Sequence, residues 1–378
     1  MRIAAHSTIP ASERALQALN AAGGNEPLRL PLNIKHLVGG AEATLAQVII
    51  TWAQRNVSPR LETVLSSSSQ IEDFVRRLPG LVAALCAQEA VGIGTEGSIF
   101  EPLRSAALGR LDQLQGGRPK TGYRGSSAEI LCADHLGRDA PYLLYLPDHR
   151  GGSRLRSREN FRDLANWLLR GASPEEYRPR VDPEASEAIG AMLFETFKNT
   201  EDHALVDTSG DLLDVSIRAI KTNHHAVAPG DLARIVEEFT PLANYCASLA
   251  PPDGAIQTHL FEISILDSGP GFAATWTGRP LDQLTLAEEE SAVRSCFGRG
   301  SAKGQSRFGE GLPHVLRLLR RQSGFLRLRT GRLSLYADFS TVDDVDDASC
   351  LRRHDSTGMP NFAPVSGSLL TILIPMRR

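Results

Sequence analysis

The sequence predicts an α+β protein built from two units. Three observations carry that prediction. Strand-like and helix-like segments alternate from residue 27 to about 150. A long amphipathic helix opens the second half. The chain then runs through β-rich segments punctuated by glycine turns to a β-rich end. The expected layout is a polar lead-in over 1–26, an α/β unit over 27–150 and a larger unit over 155–378. His149-Arg-Gly-Gly-Ser153 links the two.

In the first unit, Leu28–Ile34 reads as a short strand, Ala41–Arg55 as a helix and Leu61–Leu65 as a second strand. Ser69-Gln-Ile-Glu72 carries a capping-box pattern for a helix running to about Ala90. Phe100–Leu114 reads as another helix. Ala128–Ala133 and Tyr142–Leu146 read as strands. No motif in this unit names a chemistry.

Composition removes several function classes. A net charge of −3 gives no electrostatic case for nucleic-acid or membrane binding. The five cysteines are odd in number and form no C-x-x-C pair, which argues against a disulfide framework or a zinc site. No apolar run approaches a membrane span. The start, Met1-Arg-Ile-Ala-Ala-His6, leads into a polar stretch, so the expected location is the cytoplasm.

The second unit begins with a helix around Asn160–Leu169. A stronger one starts at Asp182-Pro183, with Asp as cap and Pro in the first turn. Along it, Ile189, Met192, Leu193 and Phe197 form an apolar stripe. Glu195, Asn199 and His203 recur every four residues on another face. An amide oxygen is a hard ligand of the kind Mg²⁺ takes, and a carboxylate one turn away can deprotonate water. Leu213–Thr222 reads as a strand and Pro229–Leu249 as an inserted helix.

His259–Leu266 alternates like a strand and runs into Asp267-Ser-Gly-Pro-Gly271. A strand-end carboxylate can accept a hydrogen bond from an exocyclic amine, and Gly269 and Gly271 let backbone approach a flat ring. The Gly-rich stretch Phe297–Gly311 then opens a helix whose stripe is Leu312, Val315, Leu316 and Leu319. Free N–H groups at such a start favour anions. Each signal also fits a plainer reading: a solvated helix face, an Asx-type turn, a surface loop.

Taken together and in this order, the three resemble the GHKL family of DNA gyrase, the large heat-shock chaperones, histidine kinases and MutL. Glu195-x-x-x-Asn199-x-x-x-His203 is similar to the N box, Asp267-x-Gly269-x-Gly271 to the G1 box and Gly309-x-Gly311-Leu312 to the G2 box. A hairpin over Phe325–Tyr336 and a last strand from Gly367-Ser368 to Pro375 complete the likeness. It covers roughly 180–378.

The resemblance implies a Bergerat sandwich, with helices on one face of a mixed sheet, that binds ATP and Mg²⁺. It implies Asn199 as the metal ligand, Glu195 as general base and Asp267 as reader of the adenine amine. Gly269, Gly271 and Ser368 would shape the base pocket. Gly309, Gly311 and Leu312 would offer N–H groups to phosphate. His203 would stand beside the phosphates or support the helix, and Lys303 would reach a terminal phosphate. The implied activity is ATP hydrolysis coupled to a conformational change, a protein partner or a homodimer. The alternatives are a protein kinase of histidine-kinase or anti-sigma type and a non-catalytic ATP sensor. Against the kinase, no H-E-x-x-x-P helix is present, since His135-Leu-Gly-Arg-Asp-Ala-Pro141 is loop-like.

Overall fold

The computed structural model describes residues 1–23, 26–35, 38–65, 67–94, 97–116, 127–148, 152–172, 183–249, 257–298, 311–340, 348–354 and 362–376. Among them no helix is long and apolar enough to cross a membrane.

The amino-terminal elements are α1 (Ile9–Ala21), β1 (Leu28–Arg29), α2 (Ala41–Arg55), β2 (Arg60–Thr63), α3 (Ser68–Val75), α4 (Leu78–Cys86), β3 (Glu89–Gly92) and α5 (Phe100–Gln115). The strands form a small parallel sheet in the order β1-β2-β3. Residues 1–26 are therefore more than a lead-in. The Thr8 hydroxyl accepts from the Ala11 N–H, Pro10 sits in the first turn, and Ile9, Leu16 and Leu19 are buried. The single helix expected from 69 to about 90 is two helices and a strand. Pro79 lacks an N–H, so it fits the first turn of α4 and not the interior of a continuous helix.

The second part holds β4 (Ser127–Ala133), β5 (Tyr145–Pro147), β6 (Ser153–Leu155), α6 (Arg158–Ala172), α7 (Pro183–His203), β7 (Ile217–Val227), α8 (Pro229–Ile235), α9 (Thr240–Ser248) and β8 (Thr258–Asp267). It continues with α10 (Phe272–Thr277), α11 (Leu286–Cys296), α12 (Gly311–Arg321), β9 (Phe325–Gly331), β10 (Leu333–Asp338), β11 (Arg352–Arg353) and β12 (Val365–Met376). The inserted helix expected over 229–249 is broken into α8 and α9, again with a proline, Pro241, in the first turn of the second piece.

Seven strands form one sheet in the order β11-β10-β9-β12-β8-β7-β4. Every pairing in it is antiparallel, so the mixed sheet expected above is not what forms among the described residues. Its edge strand β4, expected in the first unit, joins this sheet instead. β4 is buried along its whole length, and its apolar run does not encode which sheet it joins.

Alternation along the strands divides the core between the two faces, with a third cluster under α8 and α9 on the second. Ile130, Ile220, Phe261, Ile263, Ile265 and Ile372 pack with α6, α7, α11 and α12 on one face. Leu131, Ile217, Ala219, Leu266 and Leu369 pack with α1, α2, α4 and α5 on the other. Helices thus cover both faces, where the resemblance implied one. The second face carries a polar row across five strands: Glu129, Lys221, Ser264, Thr371 and Arg327, each paired in register with the next. All five are buried. Lys221 Nζ lies 3.1 Å from Glu129 and 3.5 Å from Glu42 of α2, and Arg110 of α5 lies 2.6 Å from Glu129. The amino-terminal helices therefore supply the counter-charges that make this polar face burial tolerable.

Candidate functional site

The polar face of α7 lies where expected. Ile189, Met192, Leu193 and Phe197 are buried, Glu195 and Asn199 are half-buried, and His203 is exposed at the helix end. Thr196 and Thr200 return their hydroxyls to the helix's own carbonyls, at Met192 and Phe197. Among the described residues the Asn199 carboxamide takes no hydrogen bond from the protein.

Both glycine turns meet this helix. A Cβ built on Gly269 would lie 2.7 Å from the Ala204 Cα, just past the end of α7. A Cβ on Gly311 would lie 2.7 Å from Glu195 Oε2. The turn after β8 and the start of α12 therefore touch α7 nine residues apart, about 13.5 Å along its axis. Asn199 lies on the stretch between them.

Asp267 closes β8 with its carboxyl buried. Oδ1 accepts from the Gly269 N–H at 2.9 Å. Burial pushes the carboxyl up to about 6, while the N–H groups of Gly269 and Ser368 and the charge of Arg218 pull the other way. Gly271 holds φ +86°, a left-handed conformation that a side chain would strain, and its Cα faces the Thr330 hydroxyl. Thr330 Oγ1 accepts from the Phe272 N–H and lies 3.2 Å from Ser368 Oγ. Ser368 thus pairs with Asp267 beside the turn after β8, with its hydroxyl turned towards Thr330.

At the start of α12, Leu312 buries its side chain in the core. The N–H groups of a first helical turn have no intrahelical acceptor, and Pro313 has none to offer. Lys303 and Gly309 lie outside the described residues.

Four residues at the site belonged to no motif. Arg218 pairs in register with Asp267 across β7 and β8. Its buried guanidinium reaches Asp134 at 2.8 Å, the Tyr145 hydroxyl at 2.8 Å, and Glu201 of α7. It so ties the last turns of α7 to the strand beside Asp267. Gln54 of α2 donates to the carbonyls of Val215 and Ser268, at 2.8 and 2.9 Å, and props the turn from the opposite side. Arg158 of α6 lies 3.7 Å from Glu195. Thr330 is the fourth. A lone Arg, Gln or Thr has no periodic signature, so only the fold brings them here.

Comparison with protein-family models, with curated proteins and with solved structures gives no match to this chain.

Proposed function

We propose that the chain binds Mg·ATP in a GHKL-type pocket along the polar face of α7 and hydrolyses it. One observation carries the reading. Two turns separated by a long stretch of sequence meet one helix, one at the acid itself and one just past the helix end, with the amide between them. In this reading the Bergerat sandwich is the apolar face of the large sheet with α6, α7 and α12. The amino-terminal elements, with α8 and α9, cover the other face.

The residues fit the ligand. Asp267 presents a buried carboxylate to the adenine amine, and Gly269 and Gly271 let the turn that carries it pack closely against Ala204 and Thr330. Gly311 and Leu312 offer backbone N–H groups to phosphate. Asn199 offers an amide oxygen to the metal ion, which when bound would neutralise charge on the phosphates. Glu195 takes the proton of the attacking water. His203 stands at the same end of α7 as Gly269. The work done with ATP is a conformational change acting on a protein partner or a second copy, in the cytoplasm.

The test is titration of the full chain with adenosine, ADP and ATP in magnesium, followed by incubation with γ-labelled ATP. Binding with release of free phosphate is the expected result. Labelled protein would mean a kinase instead, and binding without turnover a sensor. No binding of any of the three ends the nucleotide reading. Glu195→Ala is expected to bind ATP and lose at least about a hundredfold of turnover, as removal of a general base does.

A further inference from the structure

Arg158 begins α6, and its guanidinium meets two groups on two other helices. Nη2 lies 2.7 Å from His314 Nε2 on α12. Nη1 lies 3.7 Å from Glu195 Oε1 on α7. A guanidinium only donates, so His314 Nε2 accepts in this contact. The approach to Glu195 exceeds hydrogen-bond length and is a contact of charges alone. With the Arg158 side chain 50% exposed, water screens it and the contact is weak. One of five N–H donors is spent on His314; the rest of the planar fork matches the oxygens of a phosphate. The first residue of α12, Gly311, lies against the same Glu195 carboxylate. Arg158 thus stands at the end of the α7 face remote from Asp267, where a bound triphosphate would end.

Building on the nucleotide reading above, we propose that Arg158 reads the terminal phosphate of a nucleoside triphosphate and, without one, rests on Glu195. When the triphosphate binds, the guanidinium exchanges a weak contact with a carboxylate for charge-assisted hydrogen bonds to the phosphate. The exchange moves Arg158 off Glu195, which keeps its place beside the phosphates. The water oxygen then forms its bond to the terminal phosphorus. The bond from that phosphorus to the bridging oxygen breaks, its electron pair leaves with the diphosphate, and the water proton passes to Glu195. A diphosphate does not reach Arg158 and leaves it on Glu195. Arg158 is marked by no motif and stands on α6, outside the segments of the family likeness.

The test compares wild type and Arg158→Ala as full chains, titrated with ATP, ADP and adenosine in magnesium. Wild type is expected to prefer ATP over ADP by about tenfold or more, the size of one charged phosphate contact. Arg158→Ala is expected to lose that preference while binding ADP and adenosine within about twofold of wild type, which also shows that the variant folds. Arg158→Lys keeps the charge without the fork and is expected to fall between them. Arg158→Ala with an intact ATP preference, or with equal losses for all three ligands, overturns the proposal. A wild type that binds adenosine and ADP with no preference for ATP also overturns it, while leaving the nucleotide reading in place. A wild type that binds none removes both.

Discussion

Asp267 places an ionisable group under tension between burial and its neighbours. Its carboxyl is raised to about 6, chiefly by burial. Below roughly pH 4 the group is protonated in both the folded and unfolded chain. Between there and 6 the folded chain alone keeps the proton, so this group's contribution to stability falls as pH rises through that window. Adenine binding should run the opposite way, because an exocyclic amine donates to the ionised carboxylate. Adenosine affinity is therefore expected to rise from about pH 5 to 7 with a midpoint near 6, and Asp267→Asn to bind with a flat profile over that range. Adenosine is the ligand of choice, since it brings no phosphate titrating in the same window. A wild-type profile without a step would show that Asp267 does not touch the base. Asn199 gives a second prediction at this scale. Asn199→Ala is expected to weaken magnesium-dependent ATP binding more than magnesium-free binding, and equal losses in the two titrations would remove the metal role.

The elements differ in how openly their sequences declare them. The apolar stripe and polar face of α7 are periodic, and β8 alternates before a glycine turn, so both are legible from local residues alone. The start of α1 carries local signals too, Thr8 as cap and Pro10 in the first turn. The break between α3 and α4 was marked by Pro79, and that between α8 and α9 by Pro241. The packing of α6 against α7 is less obvious and rests on Gly190. A Cβ there would lie 2.7 Å from the Arg162 Cα and 2.8 Å from the Phe161 carbonyl oxygen. Those are backbone atoms and cannot swing aside. Gly190→Ala is expected to cost about 1–3 kcal/mol of stability by forcing the helices apart. It should also carry Arg158 away from Glu195. Denaturant unfolding reads the first effect; an unchanged midpoint would place the helices further apart than described.

Over the whole molecule, the large sheet is enclosed by helices on both faces, and the second face is held by charge as much as by apolar packing. Glu13 of α1 bridges Arg329 at 2.8 and 3.0 Å and Arg327 at 3.2 Å. All three are buried. Burial, with Arg329 alongside, lowers Arg327 to about 10 despite Glu13. Removing the carboxylate leaves two buried cations without the acid that pairs with both. Glu13→Ala is therefore expected to destabilise the chain by about 3–5 kcal/mol, and loss of residues 1–23 by no less. Equilibrium unfolding tests both; a loss under about 1 kcal/mol would mean that α1 is not docked on the sheet. Because Gln54 of α2 also holds the carbonyl beside Asp267, the amino-terminal elements belong to the support of the candidate site.

The sequence by itself determined the α+β character, the α7 face, the turn after β8 and the closing hairpin and strand, because each depends on residues within one or two turns of one another. Tertiary structure alone decided where β4 pairs, what covers the second face, and which unmarked residues reach the site. Glu262 shows why. In β8 it alternates with apolar neighbours as a solvent-facing residue would, yet it is buried, bonded to the Gly39 N–H, Asn223 and His225. A polar strand residue has the same local pattern whether its partner is water or a segment more than two hundred positions away, and only the folded chain distinguishes the two.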